Sequence, residues 1–275
     1  MQTVSDVVLP CRQPAGHAAQ GHGAPGPLEA VWARHADEVE AAQRLRWRVF
    51  AQEMGARLRS RSPGIDCDLF DAHCEHLLVR LRETDAAPAR VVGTYRVLTP
   101  AAARLIGGLY AETEFDLVRL KPLRPRMAEL GRSCVDPDFR SGPVIMMLWS
   151  ALAAFMQRNA LDLMIGCASV PMRDGGHFAA SLWHRLSAGH LATPDLQVRP
   201  RLPLPVDELR ADLPAEPPPL IRGYLRCGAK LLGAPAWDPD FGTADLPMML
   251  RMGDLPEAWR LRFMGASVSS RERLR

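Results

Sequence analysis

Apolar and polar positions along the chain set out a series of short strands separated by helices. A first strand is expected at 28–33. Asp37 is placed to cap a helix over 39–54, in which Leu45, Val49 and Phe50 share one face and Gly55 supplies the stop. Residues 56–74 keep no helical or strand period and carry Pro63, Gly64 and several aspartates, which predicts a loop. The apolar runs 76–81 and 91–98, split by a polar segment, read as an antiparallel hairpin. Short helical pieces are expected at 100–109 and 114–117. A strand follows at 127–135, then a long helix at 141–159 with Ser141 as N-cap and Pro143 in its first turn, where a missing N–H costs nothing. The run LDLMIGCA at 161–168 is apolar enough for the interior of a sheet. A helix at 176–186, a short helix within 219–232 carrying Tyr224, a last strand at 244–252 and a helical tail from Pro256 complete the pattern.

This order predicts an α/β fold, a mixed sheet with helices on both faces. One domain is expected over 28–260, with the proline-rich stretch 194–219 as an insertion. Residues 1–27, rich in Gly, Pro, Ala and His, read as a disordered lead-in, and 261–275 as a tail.

Charge narrows the partners little. A net charge of +3 over 275 residues is too slight for a nucleic-acid binder. Lys121 and Lys230 are the only lysines, so the positive charge is carried by arginine, which grips carboxylates and phosphates with two parallel bonds. The six cysteines form no CxxC pair and point to reduced thiols. The N-terminus lacks a secretory pattern, and the longest apolar run, 144–156, is too short to span a bilayer. A cytoplasmic protein is expected, with room for a peripheral contact at the inner membrane.

The chemistry concentrates between Met127 and Phe155. The strand ends in Glu129, Arg132 and Ser133, and the turn Arg140-Ser141-Gly142 opens directly into a helix. Unpaired N–H groups and the helix dipole make such a start attractive to phosphate. Glu129 and Arg132, three apart on a strand, are expected to face opposite ways. His73, Cys74 and His76 do not share a face and no metal is expected. Ser133 and Cys134 have no convincingly spaced His/Asp partners, so direct transfer is favoured over a covalent intermediate.

Four motifs together carry a resemblance: Arg46-x-x-x-Phe50, Asp68-x-x-Asp71, VVGTYRVL with Arg96, and Glu129-x-x-Arg132, which opens the run ELGRSCVDPDFRSG. In this order the chain resembles the GCN5-related N-acyltransferase fold. It is similar to two of its branches, the acyl-homoserine lactone synthases and the L-ornithine N-alpha-acyltransferases of lyso-ornithine lipid synthesis. The synthases usually keep a tryptophan shortly after the phenylalanine of the first helix, where this chain has Met54-Gly55-Ala56, and the long proline-rich excursion is foreign to them; both favour the ornithine branch. The resemblance implies transfer of a 3-hydroxyacyl group from acyl carrier protein to the alpha-amine of L-ornithine. It implies Glu129 and Arg132 as catalytic, with Glu129 drawing the proton from the amine. Arg46, Phe50, Asp68, Asp71 and Arg96 would bind the acceptor, and Arg140, Ser141 and Gly142 the pantetheine phosphate. The competing reading of the charged set is a buried ion-pair network joining Arg46, Asp68, Asp71, Arg96 and Arg132.

Pro143 stands where the family's CoA loop has its first glycine. A weaker phosphate cradle suits a carrier-protein donor, which is itself the cofactor-bearing substrate; no separate cofactor is expected. Arg119, Lys121, Arg124, Arg126, Arg140, Arg158 and Arg173 would meet the acidic carrier. A lactone synthase using S-adenosylmethionine, or a non-catalytic domain that binds carrier protein or membrane, are the alternatives.

Overall fold

The computed structural model describes residues 27–60, 62–85, 88–140 and 142–263. The expected disordered lead-in, Ser141 and most of the tail lie outside the described residues.

The chain runs β1 (Leu28–Trp32), α1 (Ala36–Trp47), β2 (Glu75–Leu81), β3 (Arg90–Leu98), α2 (Pro100–Ile106), β4 (Phe115–Asp116) and β5 (Met127–Val135). It continues through α3 (Pro143–Arg158), β6 (Leu163–Pro171), α4 (His177–His190), β7 (Arg199–Pro200), α5 (Pro219–Arg226), β8 (Lys230–Leu231), β9 (Ala236–Asp238) and β10 (Thr243–Arg251). The main sheet has the order β1-β2-β3-β5-β6-β10-β8, with β9 paired to β10. Every pairing in it is antiparallel except β5 with β6. This is the mixed sheet flanked by helices that the hydrophobic pattern predicts.

Two layers cover the sheet. On one face, Val144, Leu148, Leu152 and Phe155 of α3 pack against Leu77, Val79, Val92, Tyr95 and Val97. On the other, Leu45, Val49 and Phe50 meet Cys134. The first helix starts at Ala36 with His35, not Asp37, in the cap position, and continues past Trp47 as a π-helical turn over Arg48–Glu53. Glu38 accepts hydrogen bonds from the backbone N–H of Arg34 and His35 and closes its first turn. The long helix starts at Pro143 with Gly142 at the cap (φ +114°), one residue later than the expected Ser141.

Residues 114–117, expected to be helical, instead hold β4, which pairs with β7 from the proline-rich stretch. That stretch lies against α4: the Ser181 hydroxyl donates to the Arg210 carbonyl, and Leu204, Val206 and Ala215 are buried beside Leu182. No described helix is long and apolar enough to cross a membrane.

The feature that places the site is the junction of β5 and β6. Their parallel register runs Met127↔Leu163, Ala128↔Met164, Glu129↔Ile165 and ends there. Beyond it the strands part, and a cleft opens between them. Gly166 sits at the fork, where an added Cβ would stand 2.5 Å from the Leu130 carbonyl oxygen. Gly166→Ala is therefore expected to lower stability by about 1–3 kcal/mol, as overpacking against rigid backbone does. Urea unfolding measures this; an alanine variant as stable as the parent would contradict the close approach.

Candidate active site

A cavity of about 380 Å³ fills the cleft. One end is polar, with Arg96, Glu129, Arg132, Asp238 and Asp245 in its wall; the other is apolar, with Trp149, Leu152, Ala153, Leu255 and Phe263.

The polar end rests on a closed ring of three arginines and three aspartates. Arg46, fully buried, donates Nε to Asp66 Oδ2 at 2.8 Å and forks onto Asp71, both bonds 2.8 Å. Arg96 pairs with Asp68 at 2.7 Å and reaches Asp71 at 3.5 Å. Arg132 closes the ring onto Asp66 at 3.1 Å and Asp68 at 3.2 Å. Each carboxylate is thus held by two guanidinium groups, and the charges balance. Burial opposes the charge on Asp71, but its bonds to Arg46 and the nearby Arg96 outweigh that and hold its carboxyl well below the usual range. Asp66, not singled out by the sequence motifs, is as much a member as the others.

Arg132 reaches this ring because β5 is irregular. The register against β3 shifts between Thr94 and Arg96, and Arg132 has φ +50°. The strict alternation expected of Glu129 and Arg132 is broken, and both line the same cavity. The Arg132 guanidinium lies 4.9 Å from the Tyr110 ring centroid and 4.8 Å from that of Phe241. Phe50 meets Phe241 edge-on at 5.8 Å and lines the cavity beside it.

Glu129 is buried, and its two oxygens accept the backbone N–H groups of Tyr110 at 2.7 Å and Ala111 at 2.6 Å. Burial still dominates and pushes its carboxyl up to about 7. Its position in the wall and this poise suit proton transfer near neutral pH.

A second acidic group was not found from the sequence. Glu114, Asp238 and Asp245 bring carboxylate oxygens within 4.8 Å of one another. Asp238 and Asp245 line the cavity. Asp245 accepts a bond from the Thr243 hydroxyl at 3.0 Å, and both Glu114 oxygens are buried without a hydrogen-bond partner. Burial, then the charge of Asp245, pushes Glu114 up to about 9. Among the described residues, no basic side chain forms an ion pair with any of the three. The signal was invisible locally, because the three residues come from β4's flank, β9 and β10.

The predicted phosphate turn is present in part. Arg140 forks onto Glu53 at 2.6 and 2.7 Å and donates Nε to the Val135 carbonyl at 3.1 Å. Gly142 adopts a left-handed φ before the helix. His76 bonds through Nε2 to the Asp71 carbonyl oxygen at 2.9 Å and braces the ring's loop. Arg124 pairs with Glu112, and Arg126 with Asp162.

A sheet forked between two parallel strands, with a cavity in the fork, defines an acyltransferase of the GNAT class. Residues 45–150 match the family described as acetyltransferase (GNAT) domain. The fold is similar to that of the AHL synthase LasI, 12% identical, with a TM-score of 0.50 over 87% of this chain and 96% of that one. It is also similar to FeeM, an N-acyl amino acid synthase from uncultured soil microbes, 12% identical, with a TM-score of 0.51 over the same shares. Sequence goes further. The chain is 38% identical over 249 residues to the L-ornithine N(alpha)-acyltransferase of Brucella abortus, covering 82% of this chain and 84% of that protein. It is 36% identical to that of Agrobacterium fabrum, covering 91% and 90%. The chain belongs to the L-ornithine N(alpha)-acyltransferase family.

Removing one partner from a buried ion network strands the others. Arg46→Ala is expected to cost about 3–5 kcal/mol, since it leaves Asp66 and Asp71 short of a counter-charge. Thermal or denaturant unfolding reads this directly. Asp71 carries the matching pH signature: its depressed carboxyl adds stability above the ordinary aspartate range, and that stability is lost as pH falls below about 4. A variant that unfolds like the parent across this range would show the ring to be energetically idle.

Proposed function

We propose that the protein transfers a 3-hydroxyacyl group from acyl carrier protein to the alpha-amine of L-ornithine, giving lyso-ornithine lipid as the first step of ornithine lipid synthesis. The observation that carries this reading is the contrast between the two acidic groups. The ring's aspartates are each taken by two arginines. Glu114, Asp238 and Asp245 have no arginine partner among the described residues, and Asp238 and Asp245 line the cleft with Glu114 buried behind them. Ornithine needs one site for the amine that reacts and another for the distal ammonium. Asp238 and Asp245 in the cavity wall, backed by the buried, protonated Glu114, supply the second.

In this reading Glu129 takes a proton from the alpha-ammonium, directly or through a water. The freed amine attacks the thioester carbonyl, the C–N bond forms, the C–S bond breaks, and the pantetheine thiolate leaves with the proton returned. Arg132 keeps Nη1 out of its ring bonds and offers it to the acceptor's carboxylate. Arg46, Asp68, Asp71 and Arg96 hold that guanidinium in place, and Phe50 closes the aromatic wall. The helix start at Gly142 with Arg140 takes the pantetheine phosphate once Glu53 gives way. The basic stretch Val118–Arg126, with Arg119, Lys121 and Arg126 exposed, offers the acidic carrier a docking face. The acyl chain occupies the apolar end of the cavity. The product's amphiphilic nature fits a cytoplasmic enzyme that touches the inner membrane.

Purified protein with 3-hydroxyacyl carrier protein should give an ornithine amide by mass spectrometry, and much less product from 2-aminopentanoate, which lacks the distal amine. A homoserine lactone from S-adenosylmethionine, or equal use of the two amino acids, would sink the proposal. Since Glu129 acts only when deprotonated, kcat/KM should rise with pH through about 7 and then level. Glu129→Gln should lose roughly 10²-fold or more and flatten that rise. An unchanged pH profile in the folded variant would remove Glu129 as the base.

A further inference from the structure

The apolar half of the cavity contains one polar spot. Tyr95 on β3 is almost fully buried, and its hydroxyl is hydrogen-bonded to that of Tyr224 on α5. Ser133 and Trp149 are the next polar neighbours of the Tyr95 hydroxyl. The Trp149 indole stacks on Tyr224 with ring centroids 5.5 Å apart. It fits there because α5 presents Gly223, where a Cβ would fall 2.3 Å from the indole. Its Nε1–H is buried and completes no hydrogen bond of good geometry, the Tyr95 hydroxyl being its near polar neighbour. Tyr95, Ser133, Trp149 and Tyr224 all line the cavity.

A buried N–H left unpaired is costly, and native proteins keep few of them without a reason. The tyrosine pair adds to the account. Two hydroxyls facing each other share one donated hydrogen, so one O–H and several lone pairs are left over. The spot therefore offers both a donor and an acceptor, with Leu152, Met164 and Met248 as apolar wall around it. A plain hydrocarbon chain satisfies none of this. A chain carrying one hydroxyl satisfies it fully, by accepting from the indole and bonding to the tyrosines. The location is also suitable, since Ser133 belongs to the part of β5 that flanks the cleft beside Arg132.

We propose that Trp149, with the Tyr95–Tyr224 pair, is the group that reads a hydroxyl on the acyl chain and so selects the donor. This rests on the apolar half of the cavity holding the acyl chain, as in the proposed function. The roles are specific: Trp149 Nε1–H donates to the hydroxyl oxygen, and the tyrosine pair holds that hydroxyl's orientation. Sites built around a buried polar group reject ligands that leave it unpaired far more strongly than apolar pockets reject a missing methylene.

The test is a binding measurement that needs no acceptor. Calorimetric titration compares 3-hydroxytetradecanoyl-pantetheine with tetradecanoyl-pantetheine. The protein should bind the hydroxylated compound about tenfold more tightly or better. Trp149→Phe keeps the ring stack and loses only the donor, and should erase most of that ratio. Tyr224→Phe is the second variant and should lower the ratio as well. No preference in the parent protein, or a preference that survives Trp149→Phe in a folded variant, overturns the proposal. An equal loss of affinity for both compounds also overturns it, since that is what a general packing role would give. A preference found and then lost in the variants, in a protein that fails to acylate ornithine, would uphold this site while rejecting the proposed acceptor.

Discussion

Six side chains, three arginines and three aspartates, hold the working end of this molecule together. Arg46 comes from the first helix, Asp66, Asp68 and Asp71 from the loop before β2, Arg96 from β3 and Arg132 from the irregular end of β5. Apolar packing alone would leave that loop poorly fixed, because residues 56–74 bury little beyond Ala56 and Phe70. The ring ties it to α1, to β3 and to β5, the last of which walls the cleft. Charge balance makes this possible: each carboxylate has two guanidinium neighbours, so ions that would be costly to bury one by one are buried as a neutral set.

The same balance decides what the rest of the site can do. A ring whose carboxylates are all engaged is a poor receptor for another cation, and a good frame for the residues next to it. It sets the Arg132 guanidinium between two aromatic rings, and Arg132 in turn borders Tyr110, whose backbone N–H holds Glu129. Left without a basic partner among the described residues are Glu114, kept protonated by burial, with Asp238 and Asp245 in the cavity wall beside it. In the proposed reaction, polar acceptor and acyl donor meet at the fork of β5 and β6, where the parting of two parallel strands removes backbone from the path between them.

Much of the frame was legible in the sequence because it depends on local period. The β2–β3 hairpin, β5, α3, β6 and β10 all follow from apolar spacing, and five of the six ring residues stood out as motif positions with an ion network as the competing reading, while Asp66 did not. What escaped has physical reasons. β4 has two residues and exists only through its pairing with β7 from a proline-rich segment, so no local pattern marks it. Arg132 turned toward Glu129's side because a bulge breaks the two-residue alternation, and a bulge leaves no fixed residue signature. The Glu114 group joins the β9–β10 hairpin, which carries Asp238 and Asp245, to a residue more than a hundred positions earlier, each an ordinary acid in its own segment. Trp149 looks like one more apolar position on α3 until its unpaired N–H is seen.

The division of labour between the two acidic groups is tested most directly by a crystal structure with L-ornithine and a non-reactive acyl-pantetheine. The account predicts the distal ammonium against Glu114, Asp238 and Asp245, the alpha-amine within reach of Glu129, and all six ring residues paired as they are without ligand. Ornithine seated between Asp68 and Asp71, with Arg96 or Arg132 displaced to admit it, would contradict it.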